Sequence, residues 1–416
     1  MKDNCSLLPK GIFTVTVLVL LSLLLTSCAS LSRTGVSFTR TPLTAEPDVF
    51  EETMQQILIS TTAADGTELE GKLWLPPLDE ATASTNGLVI FVNGSGPNTY
   101  DNTRVLGTTT FIYHELFARY FTERDTAYFS YSTRGTTPAG EGPLFAHVDE
   151  TVYQTYTPES AAQDIAHWIE VLTAQKELHG VPIVLLGWSE GAIVAPYAVD
   201  TYHLPGVTGL VLAGVPVDSM MDIVTWQLTG GSSMVFYSAY FDTDGDGFVS
   251  QEEFTADPYG ILPALGNPSF ASIDLDGNDF LEAADFALML EEYHSQLSDA
   301  IEKGDDAWLK ENYSVLLTSG WFASHARIPT NAVLLSHMKI PVRAYQGEMD
   351  QNVPVARLRE VEADLRSEGV DFSAHYYPGH DHDLNYLQAI MYGQLSQGLQ
   401  ELLDSTWELL VGEDGK

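Results

Sequence analysis

Basic residues are scarce in this 416-residue chain: 19 Lys and Arg stand against 57 Asp and Glu, a formal net charge of -38 at pH 7. Such a surface repels phosphate backbones instead of neutralising them, which excludes nucleic acid as a partner. Cysteine is almost missing. Only Cys5 and Cys28 occur, so a chain that sheds the first and modifies the second has no thiol left for a disulfide. Apolar side chains are not in short supply, since 44% of residues are hydrophobic and 18% charged. That composition excludes a disordered chain and supplies a sizeable core. The acidity is therefore the skin of a folded protein, and it favours solubility, salt tolerance and divalent cations as partners.

Lys2 and Lys10 precede the apolar stretch GIFTVTVLVLLSLLLTSC, with small residues before Cys28. Its length and position read as a secretory signal, with an uncleaved membrane anchor as the alternative. Leu25-Thr26-Ser27-Cys28 resembles a bacterial lipobox. The resemblance implies a lipoprotein signal peptide over 1–27, lipidation of Cys28 and a lipid anchor in the bacterial cell envelope. Ala29, standing where Asp would favour the inner membrane, points to the outer one. Residues 28–50 are polar, rich in Ser, Thr and Pro, and lack period, as expected of a tether.

From residue 55 the texture changes. QQILIS and ELEGKLWLP flank Asp65-Gly66, a hairpin signal. GLVIFV, TAYFSYS, VPIVLLG, VTGLVLAG and IPVRAYQG are short continuous apolar runs, as expected of strands covered on both faces. Helical stretches lie between them: TTTFIYHELFARYFTE, TPESAAQDIAHWIEVLTAQ and EGAIVAPYAVDTY. The alternation predicts an α/β fold with a mostly parallel central sheet and right-handed crossovers. It stops near residue 219 and resumes near 338. An interval that long, with helical texture of its own, reads as an insertion over 219–337 dividing a core of 51–218 and 338–416.

Gly187-Trp188-Ser189-Glu190-Gly191 fits G-x-S-x-G between an apolar strand and a helical stretch. A Ser hydroxyl attacks only once a base takes its proton, and an acid must orient that base. Asp350 follows the strand ending at Gly347, and His380 and His382 follow the run Phe372 to Tyr377, all in loops at carboxyl ends of predicted strands. Asp381 and Asp383 are further acids, but neighbours in sequence rarely face each other. For an oxyanion, the backbone amide of Glu190 is one candidate donor, and that of Ser95 in the glycine-rich Asn93-Gly94-Ser95-Gly96-Pro97 loop is the other.

Together, FVNGSGPNTYDN, YSTRG, GWSEG, GEMDQNVP and YYPGHDHDLN resemble the serine α/β-hydrolase fold of bacterial esterases, thioesterases and prolyl-oligopeptidase-like enzymes. The resemblance spans residues 55–218 and 338–411. It implies Ser189 as nucleophile, Asp350 as acid and, from the family's PG-x-x-H spacing, His382 as base in preference to His380. Asn93 and Ser132 depart from the His and Asp usual at those places, which loosens any assignment to a subfamily.

The insertion carries DTDGDGFVSQEE, which matches the EF-hand calcium loop. Asp242, Asp244, Asp246, the Phe248 carbonyl, Ser250 and Glu253 hold the ligand positions, and Gly247 makes the turn. A second loop, DLDGNDFLEAAD, aligns Asp274, Asp276, Asn278, Phe280, Glu282 and Asp285 with the same positions. Asp279 replaces the turn glycine and the shorter Asp285 closes the loop, so this loop should bind more weakly. Val249 and Leu281 both take position 8, predicting a two-stranded contact within a helical cap, with the pair spanning about 230–297.

These readings converge on a serine hydrolase of small-molecule carboxylic esters, with calcium as a structural or modulating ion. The alternatives are a calcium-dependent binding or adhesion lipoprotein on an inactive scaffold, and a peptidase or thioesterase with the same triad. Glu253 speaks against a dockerin, whose loops end in Asp or Asn.

Overall fold

The computed structural model describes residues 38–42, 54–77, 85–142 and 145–412. Cys5, Cys28 and the stretch 1–27 read as a signal peptide lie outside them. In chain order the first strands are β1 (Phe38–Pro42), β2 (Gln55–Thr62), β3 (Glu68–Leu75), β4 (Leu88–Val92), β5 (Thr103–Leu106), β6 (Thr109–Ile112) and β7 (Ala127–Tyr131). After them come β8 (Thr136–Pro138), β9 (Ala146–Val148), β10 (Ile183–Trp188), β11 (Val207–Ala213), β12 (Val249–Ser250), β13 (Phe280–Leu281), β14 (Val342–Gly347) and β15 (Phe372–Tyr377). Nine form one sheet in the order β1-β2-β3-β7-β4-β10-β11-β14-β15. The β1-β2-β3-β7 pairings are antiparallel, and every pairing from β7 to β15 is parallel.

Strands β4, β7 and β10 are buried along their whole length, because successive side chains feed opposite faces and both faces are covered. Leu88, Ile90 and Val92 join one core with Ala161, Ile165, Ala192 and Leu358. Val89 and Phe91 join the other with Phe117, Leu402 and Leu410. Helices Pro158–Thr173, Gly191–Tyr202 and Val355–Ser367 thus cover one face, and Tyr113–Thr122 and Gln397–Val411 the other. Local chemistry starts these helices where the packing needs them. Thr157 and Ser160 cap each other reciprocally, and Pro158 occupies the first turn, where its missing N–H costs nothing.

β11 and β14 are neighbours in the sheet, yet the chain between them leaves it to form helices Met220–Leu228, Gly231–Phe241, Gln251–Ala256, Ala283–Lys303, Asp306–Asn312, Ser319–His325 and Asn331–Ser336. Within this excursion Tyr237, Phe241, Val249, Phe254, Phe270, Ile273, Leu281 and Phe286 make a small core of their own. β12 and β13 pair antiparallel beside it, Val249 opposite Leu281. Helix Ala283–Lys303 belongs to both bodies: Phe286 lies in the small core, and Leu297 and Ala300 in the main one. Its 21 residues span roughly 30 Å.

Two local expectations change. The stretch 108–123 is not one helix, because Thr109–Ile112 pairs with Thr103–Leu106 as a hairpin and the helix begins only at Tyr113. Thr109, Thr110 and Ile112 are β-branched and favour the strand. The polar segment 28–50 is not tether throughout, since Phe38–Pro42 adds an antiparallel edge strand to β2. Arg40 fastens that edge by a fork of hydrogen bonds at 3.0 and 3.2 Å to Glu177.

Candidate active site

β10 ends at Trp188 and a helix begins at Gly191, so Ser189 and Glu190 turn the chain between them. Ser189 has φ 57, a left-handed conformation that a non-glycine residue holds only where its surroundings enforce it. A Cβ on Gly187 would stand 2.4 Å from the Gly191 carbonyl oxygen, and one on Gly191 2.0 Å from that of Val92. Both collisions are with backbone, so both glycines of the motif are demanded by packing.

The Asp350 carboxylate is completely buried and fully committed. Its Oδ1 accepts the Asn352 and Val353 amides at 2.7 and 3.1 Å, and its Oδ2 accepts Gln346 Nε2 at 2.6 Å. The same Oδ2 lies 2.7 Å from His382 Nδ1. His382 is therefore the histidine that meets the acid. His380 turns elsewhere, its Nδ1 3.1 Å from the Pro378 carbonyl and its Nε2 accepting the Gly398 amide at 3.3 Å. Asp381 accepts the Asp383 and Asn385 amides, which keeps it local to its loop.

Burial of His382 disfavours its imidazolium. The Asp350 charge and hydrogen bond, helped by Asp383 and Asp381, outweigh that and hold its pKa up at about 8. The loop is pinned from both sides. Trp188 Nε1 donates to the His382 carbonyl at 3.2 Å, and a Cβ on Gly214 would stand 2.5 Å from the His382 ring.

Ser189, His382 and Ser95 line one cavity of about 70 Å³. A Cβ on Gly94 would stand 2.6 Å from the Ser189 Cβ and 3.2 Å from the Glu190 amide nitrogen, so the glycine-rich loop presses against the turn that carries the nucleophile. Phe91 and Trp188 line it from the sheet, and Met220, Ile223, Val224, Tyr313, Val315, Leu317 and Trp321 from the excursion. No residue of the two acidic loops lines the cavity.

Several side chains here gave no sign in the sequence. Glu190 was a candidate only for its amide, yet its buried carboxylate accepts hydrogen bonds from Tyr156 Oη and Trp321 Nε1 and lies 2.8 Å from His325 Nε2. Those partners lie between 156 and 325, so the turn is tied to the returning end of the excursion. Gln346 bridges the Val215 amide and Asp350, and Arg104 lines the cavity from the β5–β6 hairpin. Nothing local to these three marks them. The two departures have structural partners: Asn93 Nδ2 donates to the Tyr131 carbonyl, and Ser132 Oγ accepts the Tyr100 amide.

No family model matches the chain, and no curated protein does. Solved structures similar to it include acetyl xylan esterase 1 from Thermoanaerobacterium sp., at 10% identity and TM-score 0.46, covering 90% of this chain and 89% of that one. Est1E from Butyrivibrio proteoclasticus is similar at 11% identity and TM-score 0.45, covering 85% and 99%. An esterase from Exiguobacterium antarcticum is similar at 14% identity and TM-score 0.42, covering 84% and 98%. Likeness at this distance carries no inference about activity, which has to rest on the geometry.

In the first acidic loop the carboxylates of Asp242, Asp244 and Asp246 converge within 4.8 Å of one another. Asp242 accepts the Gly245 and Gly247 amides, Asp244 the Asp246 amide and Asp246 the Phe248 amide. Glu253 closes the loop, accepting from Ser250 and Thr243. The Ser250 and Thr243 amides hold its carboxyl down at about 2, so it stays ionised. The second loop repeats this pattern, with Asp274, Asp276 and Asp285 converging and Asn278 Oδ1 accepting the Phe280 amide. Glu282 accepts from Asn278 Nδ2, and its own amide donates to Asp285. Asp279 has φ 69 where Gly247 has φ 90, so a residue with a Cβ makes the left-handed turn there. Each loop gathers only hard oxygens, the donor set a calcium ion takes.

Proposed function

We propose that this protein is a serine hydrolase of the α/β-hydrolase type that cleaves carboxylic esters of small molecules through an acyl-enzyme. The observation that carries the reading is the buried Asp350–His382 pair, 2.7 Å apart, whose histidine shares a cavity with a serine held at φ 57 on a strand-to-helix turn. Burying such a pair costs free energy, and a surface that only binds has no use for it. In this reading neutral His382 takes the Ser189 proton as Oγ attacks the ester carbonyl carbon. The Ser95 and Glu190 amides hold the oxyanion that develops. His382 then returns the proton to the departing alkoxide. Water, deprotonated by the same imidazole, attacks the acyl-enzyme and frees the acid and Ser189. Asp350 keeps the ring in the tautomer that presents Nε2 as base and stabilises the imidazolium between steps.

Calcium would be held by Asp242, Asp244, Asp246, Ser250, Glu253 and the Phe248 carbonyl, and in the second loop by Asp274, Asp276, Asn278, Glu282, Asp285 and the Phe280 carbonyl. It supplies charge neutralisation and loop order, not a step of the reaction. Cys28 would carry the lipid anchor in the cell envelope.

Replacing Ser189 with Ala tests the reading with p-nitrophenyl esters and a fluorophosphonate probe. The wild type should turn over the esters and take the label, and the variant should do neither. Turnover that persists in Ser189→Ala refutes the serine mechanism. A wild type that neither hydrolyses nor labels, but binds ligands in a calcium-dependent way, favours an inactive scaffold.

A further inference from the structure

The cavity beside Ser189 has two kinds of lining. Its apolar lining comes from Ile223, Val224, Val315 and Leu317 of the excursion and from Val353 beyond β14. From the β5–β6 hairpin it carries the Arg104 guanidinium. Its Cζ lies over the Tyr113 ring, 3.9 Å from the centroid. The nearest carboxylate is that of Asp383 at 3.6 Å, outside hydrogen-bonding range. The Arg104 Nε is buried and has no hydrogen-bond partner among the described residues. Arg104 is thus a partly buried cation, loosely paired with Asp383 and keeping a spare donor, in the cavity that Ser189, Gln227, Asn352 and Asp383 also line, and an acceptor entering that cavity would satisfy it.

We propose, resting on the hydrolase reading above, that the preferred substrate is an ester bearing a free carboxylate on one arm, which Arg104 receives while the other arm packs against the apolar wall. A carboxylate matches the guanidinium fork in shape and charge, and charge-assisted pairs of this kind are stronger than neutral ones. Asp383 offsets part of the Arg104 charge in the free protein, so the bound carboxylate competes with it. The chain's net charge of -38 repels any anion at long range, so added salt should help such a substrate to arrive even as it weakens the contact.

The test compares kcat/KM within two matched pairs of esters. Methyl hydrogen glutarate against methyl butyrate puts the carboxylate on the acyl arm, and 2-carboxyethyl butyrate against propyl butyrate puts it on the alcohol arm. The wild type should prefer the anion in one pair, and Arg104→Gln should cut that preference by about tenfold to a hundredfold. Asp383→Asn, which removes the competitor, should raise it. A wild type that prefers the neutral ester in both pairs overturns the proposal, as does a preference that survives Arg104→Gln. A variant slowed equally on both members of a pair leaves the ratio unchanged and also overturns it. Hydrolysis of the neutral esters by the wild type keeps the hydrolase reading standing in each of these cases.

Discussion

Titrating His382 should move activity and stability in opposite directions. With its pKa at about 8, against an ordinary value of 6.5, only about 3% of the imidazole is neutral at pH 6.5 and half of it at pH 8. General-base catalysis needs the neutral ring, so kcat/KM should climb about fifteenfold across that interval and level off above it. The stability effect has the other sign. A group whose pKa is raised on folding binds its proton more tightly in the native state, so its contribution is complete below the unfolded value near 6.5 and is lost as pH rises through about 8. The shift corresponds to roughly 2 kcal/mol, for a ring that is only 7% exposed. Asp350→Asn removes the main counter-charge. It should lower the midpoint and, by leaving the ring in the wrong tautomer, cost about 10⁴ in kcat. The assay is ester hydrolysis followed by pH-stat titration from pH 5.5 to 9.5, paired with thermal unfolding in the same buffers. A rate flat between pH 6 and 9, or a midpoint that Asp350→Asn leaves in place, refutes the reasoning.

Two other perturbations probe the supports of the site. Glu190→Ala would leave Tyr156, Trp321 and His325 without their shared buried acceptor. It should cost about 3–5 kcal/mol by denaturant unfolding, with Glu190→Gln milder because one acceptor oxygen remains; a loss under 1 kcal/mol for the Ala variant contradicts that account. If the acidic loops hold calcium as proposed, chelation should speed amide exchange around the small core of Phe241, Val249 and Leu281 first, while β4 and β10 stay protected. Identical exchange with and without calcium, or protection lost first in the sheet, rejects that role.

What could be read from the sequence was what the chain writes locally. The strand-turn-helix around Ser189 and the twelve-residue acidic loops each confine their logic to a short stretch, so spacing alone located them. The parallel strands were legible because burial on both faces leaves an unbroken apolar run. Residues whose roles depend on distant partners were not legible. Glu190 meets Trp321 and His325, and Gln346 meets the Val215 amide. Arg104 sits in a hairpin that looks like any other until Tyr113 and Asp383 are brought beside it. The missed strand at Thr109–Ile112 has the same origin, since the apolar pattern of the following helix ran on into residues whose β-branching argued otherwise.

The edge strand Phe38–Pro42 has a consequence for where the protein can work. A free chain from Cys28 to residue 50 could reach about 75 Å when fully drawn out. Pairing of residues 38–42 with β2 leaves only the stretch from Cys28 to Phe38, which spans at most about 36 Å. With a lipid on Cys28, the leash is thus about half as long as the polar composition implies, and it fastens at one rim of the sheet instead of at a loose end. The body would then stay close to the bilayer, with its β1 margin nearest the point of attachment. In that case its range would be set less by the linker's length than by five residues of backbone pairing.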